Sequence, residues 1–80
     1  MFRKLVKTSA IEVDGQRYPL QFFEEMTMRG ARRFSCEVAL SATDRIIVDA
    51  DSISALDSRV ARVAPATVYS RLLAARQRAA

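Results

Sequence analysis

The dipeptide Asp14-Gly15 is the feature of this 80-residue sequence that most constrains its fold. It lies between two short segments in which apolar and polar residues alternate. A two-residue hairpin loop of type I′ needs positive φ at both central positions, and Asp-Gly meets that need at low cost. With this loop Glu12 faces Arg17, so opposite charges share one side of the hairpin. Ile11 faces Tyr18 on the other side, and the two sides together predict an antiparallel pair of strands in this register.

The second strand continues through Leu20 and Phe22 toward two methionines. Its alternation is interrupted at 23–25, which predicts a β-bulge or bend there. Pro19 cannot donate to a ladder, and in this register its nitrogen points away from the first strand. We therefore expect the third strand to stop short of Pro19.

The third strand is the segment RRFSCEVAL, which has the most regular alternation in the sequence. Its apolar face must match that of the second strand, because a one-residue slip inverts every side chain. Only a loop with an odd number of residues satisfies this parity, and we expect three residues around Gly30. The face then consists of Phe34, Cys36, Val38 and Leu40.

A fourth strand is predicted for RIIVD, after the turn-forming cluster SATD. The same parity places Ile46 and Val48 toward the core and Ile47 on the opposite face. Four sequential strands with short loops form an antiparallel meander.

From Asp51 onward the period of the apolar residues changes from two to that of a helix. Apolar side chains recur at three- and four-residue steps, with Asp51 or Ser52 as the N-cap, so we predict a first helix over 52–63. The helical face comprises Ile53, Leu56, Val60 and Val63.

Pro65 disfavours helical geometry at Ala64 and suits the first turn of a new helix. We therefore predict a second helix over about 66–78, which buries Val68, Tyr69, Leu72 and Leu73; the alternative is one helix kinked at the proline. The predicted fold is a single α+β domain over residues 1–80. It has a four-stranded antiparallel meander followed by two C-terminal helices packed on one sheet face.

Composition argues against catalytic and metal chemistry. The chain has one cysteine and no histidine, which excludes an internal disulfide and removes the commonest zinc ligand. Cys36 falls on the apolar face, where a free cysteine packs as a small hydrophobe. We expect no enzyme activity, cofactor or metal. Neither a signal peptide core nor a membrane span is apparent, so a reducing, cytoplasmic location is expected.

Positive charge is concentrated in the predicted helices. Residues 59–80 contain five arginines and no acid, whereas residues 1–58 contain eight basic and nine acidic residues. Such a surface suits a phosphate backbone, although cations near helix C-termini are also favoured without any ligand. The candidate polyanion-binding residues are Arg59, Arg62, Arg71, Arg76 and Arg78.

The sheet face away from the helices is predicted to carry mixed charges with a few apolar side chains. Such a face suits contact with a protein, or with a second copy of the chain, better than contact with a polyanion. Its candidate contact residues are Arg17, Phe23, Arg33, Glu37 and Ile47. We therefore expect a small non-enzymatic binding domain that acts through protein contacts, with a homodimer as one form and nucleic-acid binding as the alternative.

Overall fold

The computed structural model describes residues 2–79. Its elements in chain order are β1 (Phe2–Val13), β2 (Gln16–Met26), β3 (Arg32–Ala39), β4 (Arg45–Ala50) and α1 (Ile53–Ala79). The strands form one antiparallel sheet in the order β1-β2-β3-β4. The α+β class and the four-stranded meander are thus confirmed.

The prediction of two C-terminal helices is wrong, because α1 continues through Pro65. A proline inside a helix lacks the N–H that would bond to the carbonyl of Ala61. The hydroxyl of Thr67 donates to the carbonyl oxygen of Val63 at 2.8 Å, one turn away on the same segment. Ala64 is fully buried against the sheet. Packing on both sides of the proline therefore keeps the helix continuous, and of the alternative, one helix kinked at the proline, the single helix is confirmed.

The first hairpin has the predicted turn and register. Asp14 and Gly15 have φ values of 55° and 78°, as a type I′ turn requires. Glu12 pairs with Arg17, and the register around them is the one derived from the sequence.

The register irregularity lies in β1 and not at 23–25 in β2. Leu5 pairs with Phe23 and Lys7 with Phe22, so Val6 is the extra residue. A bulge places one surplus residue on either strand of a pair, and the alternation of β2 alone does not identify which strand carries it. The predicted bulge therefore lies at the expected place along the hairpin but on β1 instead of β2.

The connection from β2 to β3 has the predicted parity and a different length. Its loop comprises the five residues 27–31, an odd number, and it brings Phe22 opposite Cys36. Pairing with β3 reaches Leu20 and leaves Pro19 outside, as expected from the missing N–H.

α1 packs on one face of the sheet and supplies four of the thirteen buried apolar residues. Ser52 is its N-cap, since the hydroxyl oxygen accepts from the N–H of Ala55 at 3.1 Å. The buried apolar side chains of the helix recur every fourth residue, and those of the strands are the predicted inward ones. They include Tyr18, Leu20, Phe22, Cys36, Val38, Ile46 and Val48 from the sheet and Leu56, Val60, Ala64 and Val68 from the helix.

Tyr69 and Leu73 do not belong to this core. They are 46% and 39% exposed, so the prediction that they are buried is wrong. Successive residues of an α-helix are rotated by about 100° about its axis. Because the helix is continuous and Val68 and Leu72 face the sheet, the residues that follow them, Tyr69 and Leu73, point outward. Leu72 is partly buried and packs against the core.

Candidate functional site

The sheet has one face that α1 does not cover, here called the open face. Strand register places alternate residues of each strand on it. The charged ones comprise four arginines and four acids, so the formal charge of this face is zero although the chain carries +4. They are Arg3, Glu12, Arg17, Glu25, Arg33, Glu37, Arg45 and Asp49.

Arg3 joins three strands across the open face. Its Nη2 lies 2.6 Å from Oε2 of Glu37 on β3, and its Nε lies 3.3 Å from Oε1 of Glu25 on β2. The guanidinium carbon is 3.7 Å from the ring centroid of Phe23, which is a cation–π contact. Only 12% of the Glu37 side chain is exposed, so this carboxylate depends on its arginine partners for solvation.

Other charges of the open face are also paired within it. Arg45 lies 3.4 Å from Glu37, and Arg33 lies 3.3 Å from Asp49. The buried hydroxyl of Ser35 donates to Glu25 at 2.9 Å. The centre of the face is therefore an ordered set of ion pairs and not a charged patch of one sign.

The predicted contact residues differ in position on this face. Phe23 and Glu37 meet through Arg3, and Arg33 belongs to a separate pair with Asp49. Ile47 is 60% exposed and is the apolar residue most available to a partner there. Arg17 lies apart from these, next to the hairpin turn.

Arg3 was not among the residues predicted for the open face. Its position opposite Glu25 follows only when the surplus residue Val6 is assigned to β1. The sequence signal for this position is charge pairing, because only a bulge in β1, and not one in β2, brings Arg3 opposite an acid.

The five candidate arginines of α1 are all exposed, and three of them bind groups of the strands or of the turns between strands. Arg71 forms an ion pair with Asp44 and Arg76 one with Asp14. Arg59 donates to the backbone carbonyl oxygen of Asp49 at 2.5 Å. Within residues 2–79, neither Arg62 nor Arg78 has an ion-pair partner.

Cys36 is fully buried in the core, as predicted. The pKa of its thiol is raised from 9.0 to about 11, chiefly by burial and also by the charges of Asp57 and Glu37, against a smaller lowering by Lys7. The thiol is therefore protonated at neutral pH, a form that is a poor nucleophile.

Comparisons with known proteins gave no relative: no protein-family model, curated protein or solved structure matches this chain. Within the described residues, no helix combines the length and apolarity needed to cross a membrane.

Proposed function

We propose that this chain is a small, non-enzymatic binding domain of the cytoplasm that acts through protein contacts on the open face. The observation that carries the proposal is the charge balance of a sheet face left uncovered by α1. The charges of this face are balanced and paired with one another, so an approaching protein surface meets no strong electrostatic field of one sign. The exposed Ile47 beside them offers apolar area that such a partner can bury.

The size of the open face predicts a modest affinity. At about 3.3 Å per residue the longer strands extend roughly 35 Å, and four strands spaced about 4.8 Å apart are roughly 15 Å wide. A flat area of about 500 Å² per partner lies near the lower limit for a specific complex. We therefore expect a transient partner or one that contacts further surfaces as well.

Polyanion binding through α1 has weaker support. The segment 59–80 has a net charge of +5, which favours it. However, a phosphate that engaged Arg71 or Arg76 would have to displace Asp44 or Asp14 from an existing ion pair. The nearby acids lower the positive potential that a nucleic acid would meet.

Site-specific photo-crosslinking tests the proposal. A photoreactive amino acid is placed at Ile47 on the open face or, as the matched control, at Arg62 on the exposed side of α1. We expect discrete protein adducts in cells from the first position and few or none from the second. Equal adducts from both positions, or none from Ile47, would contradict the proposal.

An electrophoretic mobility shift assay with DNA and RNA, run at several salt concentrations, distinguishes the proposal from nucleic-acid binding. The proposal predicts no saturable shift at physiological ionic strength. A tight complex that weakens with salt, and that Arg71→Glu and Arg78→Glu abolish, would favour nucleic-acid binding instead.

A further inference from the structure

The two edges of the sheet, β1 and β4, differ in the backbone groups that they offer. The two residues that flank a two-residue turn exchange backbone hydrogen bonds with each other. Further along the hairpin, hydrogen-bonded pairs alternate with pairs that exchange no hydrogen bonds. In β1 this leaves Thr8, Ala10 and Glu12 with N–H and C=O groups directed away from β2. Pro19 agrees with this phase, since it lies opposite Ala10, in a pair that exchanges no hydrogen bonds.

The β4 edge is partly occupied by the chain itself. β4 has six residues, and the carbonyl oxygen of Asp49 already accepts from Arg59 at 2.5 Å. An arginine on an edge carbonyl hinders the addition of another strand. β1 has twelve residues, and the part beyond the bulge at Val6 is regular as far as the turn.

The regular part of β1 also has space on both sides. A groove of about 190 Å³ between β1 and α1 is lined by residues that include Ser9, Ile11 and Val60. On the opposite side, a shallow cavity of about 470 Å³ is lined by residues that include Ala10 and Arg17. Side chains of an added strand therefore have room above and below the sheet.

We propose that β1 pairs with β1 of a second copy of the chain, antiparallel, about a two-fold axis through Ala10. This inference goes beyond the proposed function, because it concerns the β1 edge instead of the open face and names a second copy of the chain as the partner. Thr8 then lies opposite Glu12 of the second copy, so a hydroxyl donor meets a carboxylate. In each copy, three residues direct their backbone N–H and C=O groups away from β2, and together the two copies form six backbone hydrogen bonds across the axis.

Charge and shape favour a second copy as the added strand. The two Glu12 side chains are four residues apart in this register, about 13 Å, where screening is strong. Ser9 lies opposite Ile11 of the second copy, which places an apolar side chain at the groove beside α1. Lys7 is already held by Asp57 at 2.8 Å and brings no unpaired charge into the contact.

The pairing joins two sheets into one of eight strands. An antiparallel edge contact has its two-fold axis normal to the sheet, so the open faces of both copies lie on the same side. The dimer thus doubles the surface that the proposed function assigns to protein contact.

Sedimentation velocity on the full chain between about 5 and 500 µM tests the pairing, a range that suits a small interface. Ala10→Pro removes the N–H that points away from β2 at the two-fold axis, and an edge strand tolerates proline at such a position. Ala10→Val keeps this N–H and is the matched control. We expect dimers of the wild type and of Ala10→Val, and at least about a tenfold weaker association of Ala10→Pro. A monomeric wild type, or an Ala10→Pro variant that dimerises equally well, overturns the inference.

Amide hydrogen exchange gives a measurement that needs no variant. Exchange at Thr8, Ala10 and Glu12 should slow as concentration rises, while exchange at Ile47 on the β4 edge should not change. Exchange at all four residues that is independent of concentration would also overturn the inference.

The Ile47 crosslink distinguishes this inference from the proposed function. Adducts that persist in monomeric Ala10→Pro support the open face as a separate contact surface. A concentration-dependent dimer without such adducts would support the β1 pairing and contradict the proposed function.

Discussion

Arg59 reaches from α1 to the outer edge of β4 and donates a hydrogen bond to the backbone carbonyl oxygen of Asp49, at 2.5 Å. The contact ties the first turns of the helix to an edge strand and also covers a group that another strand would use. Within residues 2–79, no side chain bonds to the outward backbone groups of β1 beyond its bulge, so the two edges of the sheet differ chemically.

Arg59→Ala is predicted to expose the β4 edge. The free energy of unfolding should fall by less than about 1 kcal/mol, because the bond is exposed. Light scattering in the Ala10→Pro background, where the β1 edge is disabled, should show new concentration-dependent association. Arg62→Ala removes a charge from the same helix without touching β4 and should leave the scattering unchanged. Equal scattering from both variants would contradict the role assigned to Arg59.

Leu72 and Leu73 provide a matched pair for testing which side of α1 faces the core. Leu72→Ala should lower the free energy of unfolding by about 1–2 kcal/mol, since it removes packing against the core. Leu73→Ala should lower it by less than about 0.5 kcal/mol, because that side chain is exposed. Urea denaturation measures both values, and a reversed order would mean that the helix is rotated about its axis.

Pro65→Ala is predicted to stabilise the domain. Alanine restores the N–H that can bond to the carbonyl of Ala61 and has a far higher helix propensity. We expect a rise of about 1–3 kcal/mol in the free energy of unfolding, seen as a higher Tm. Thr67→Val removes the hydroxyl bond to Val63 and should lower Tm. A Tm that falls in Pro65→Ala would show that the proline ring itself contributes essential packing.

Cys36 is predicted to make the domain less stable at high pH. Its pKa is about 11 in the folded chain and 9.0 when unperturbed, so between these values the unfolded state has lost the proton that the folded state retains. The contribution is fully present below pH 9 and is lost as pH rises through 11, by about 3 kcal/mol in total.

Cys36→Ala isolates this effect from the titration of other groups. The difference in unfolding free energy between wild type and variant should be constant up to about pH 8.5 and should narrow by pH 11. A difference that does not vary with pH would show that the thiol is not shielded from ionisation.

Much of the sheet follows from the sequence alone. The Asp14-Gly15 turn fixes the phase of β1 and β2, and alternation carries that phase into β3 and β4, because successive side chains of a strand point to opposite faces. The inward positions of Cys36 and Val38 and the outward position of Ile47 needed no tertiary information.

The remaining features were decided by tertiary structure, since each depends on contacts between residues distant in the sequence. Local preference at Pro65 indicates a break, and burial of the helix on the sheet overrides it. That continuity turns Tyr69 and Leu73 outward, whereas two separate helices could have been oriented independently. Arg3 reaches Glu37 only when Val6 is displaced from the ladder. Alternation therefore determined which face each strand residue occupies, and packing determined where the helix continues and which charges meet.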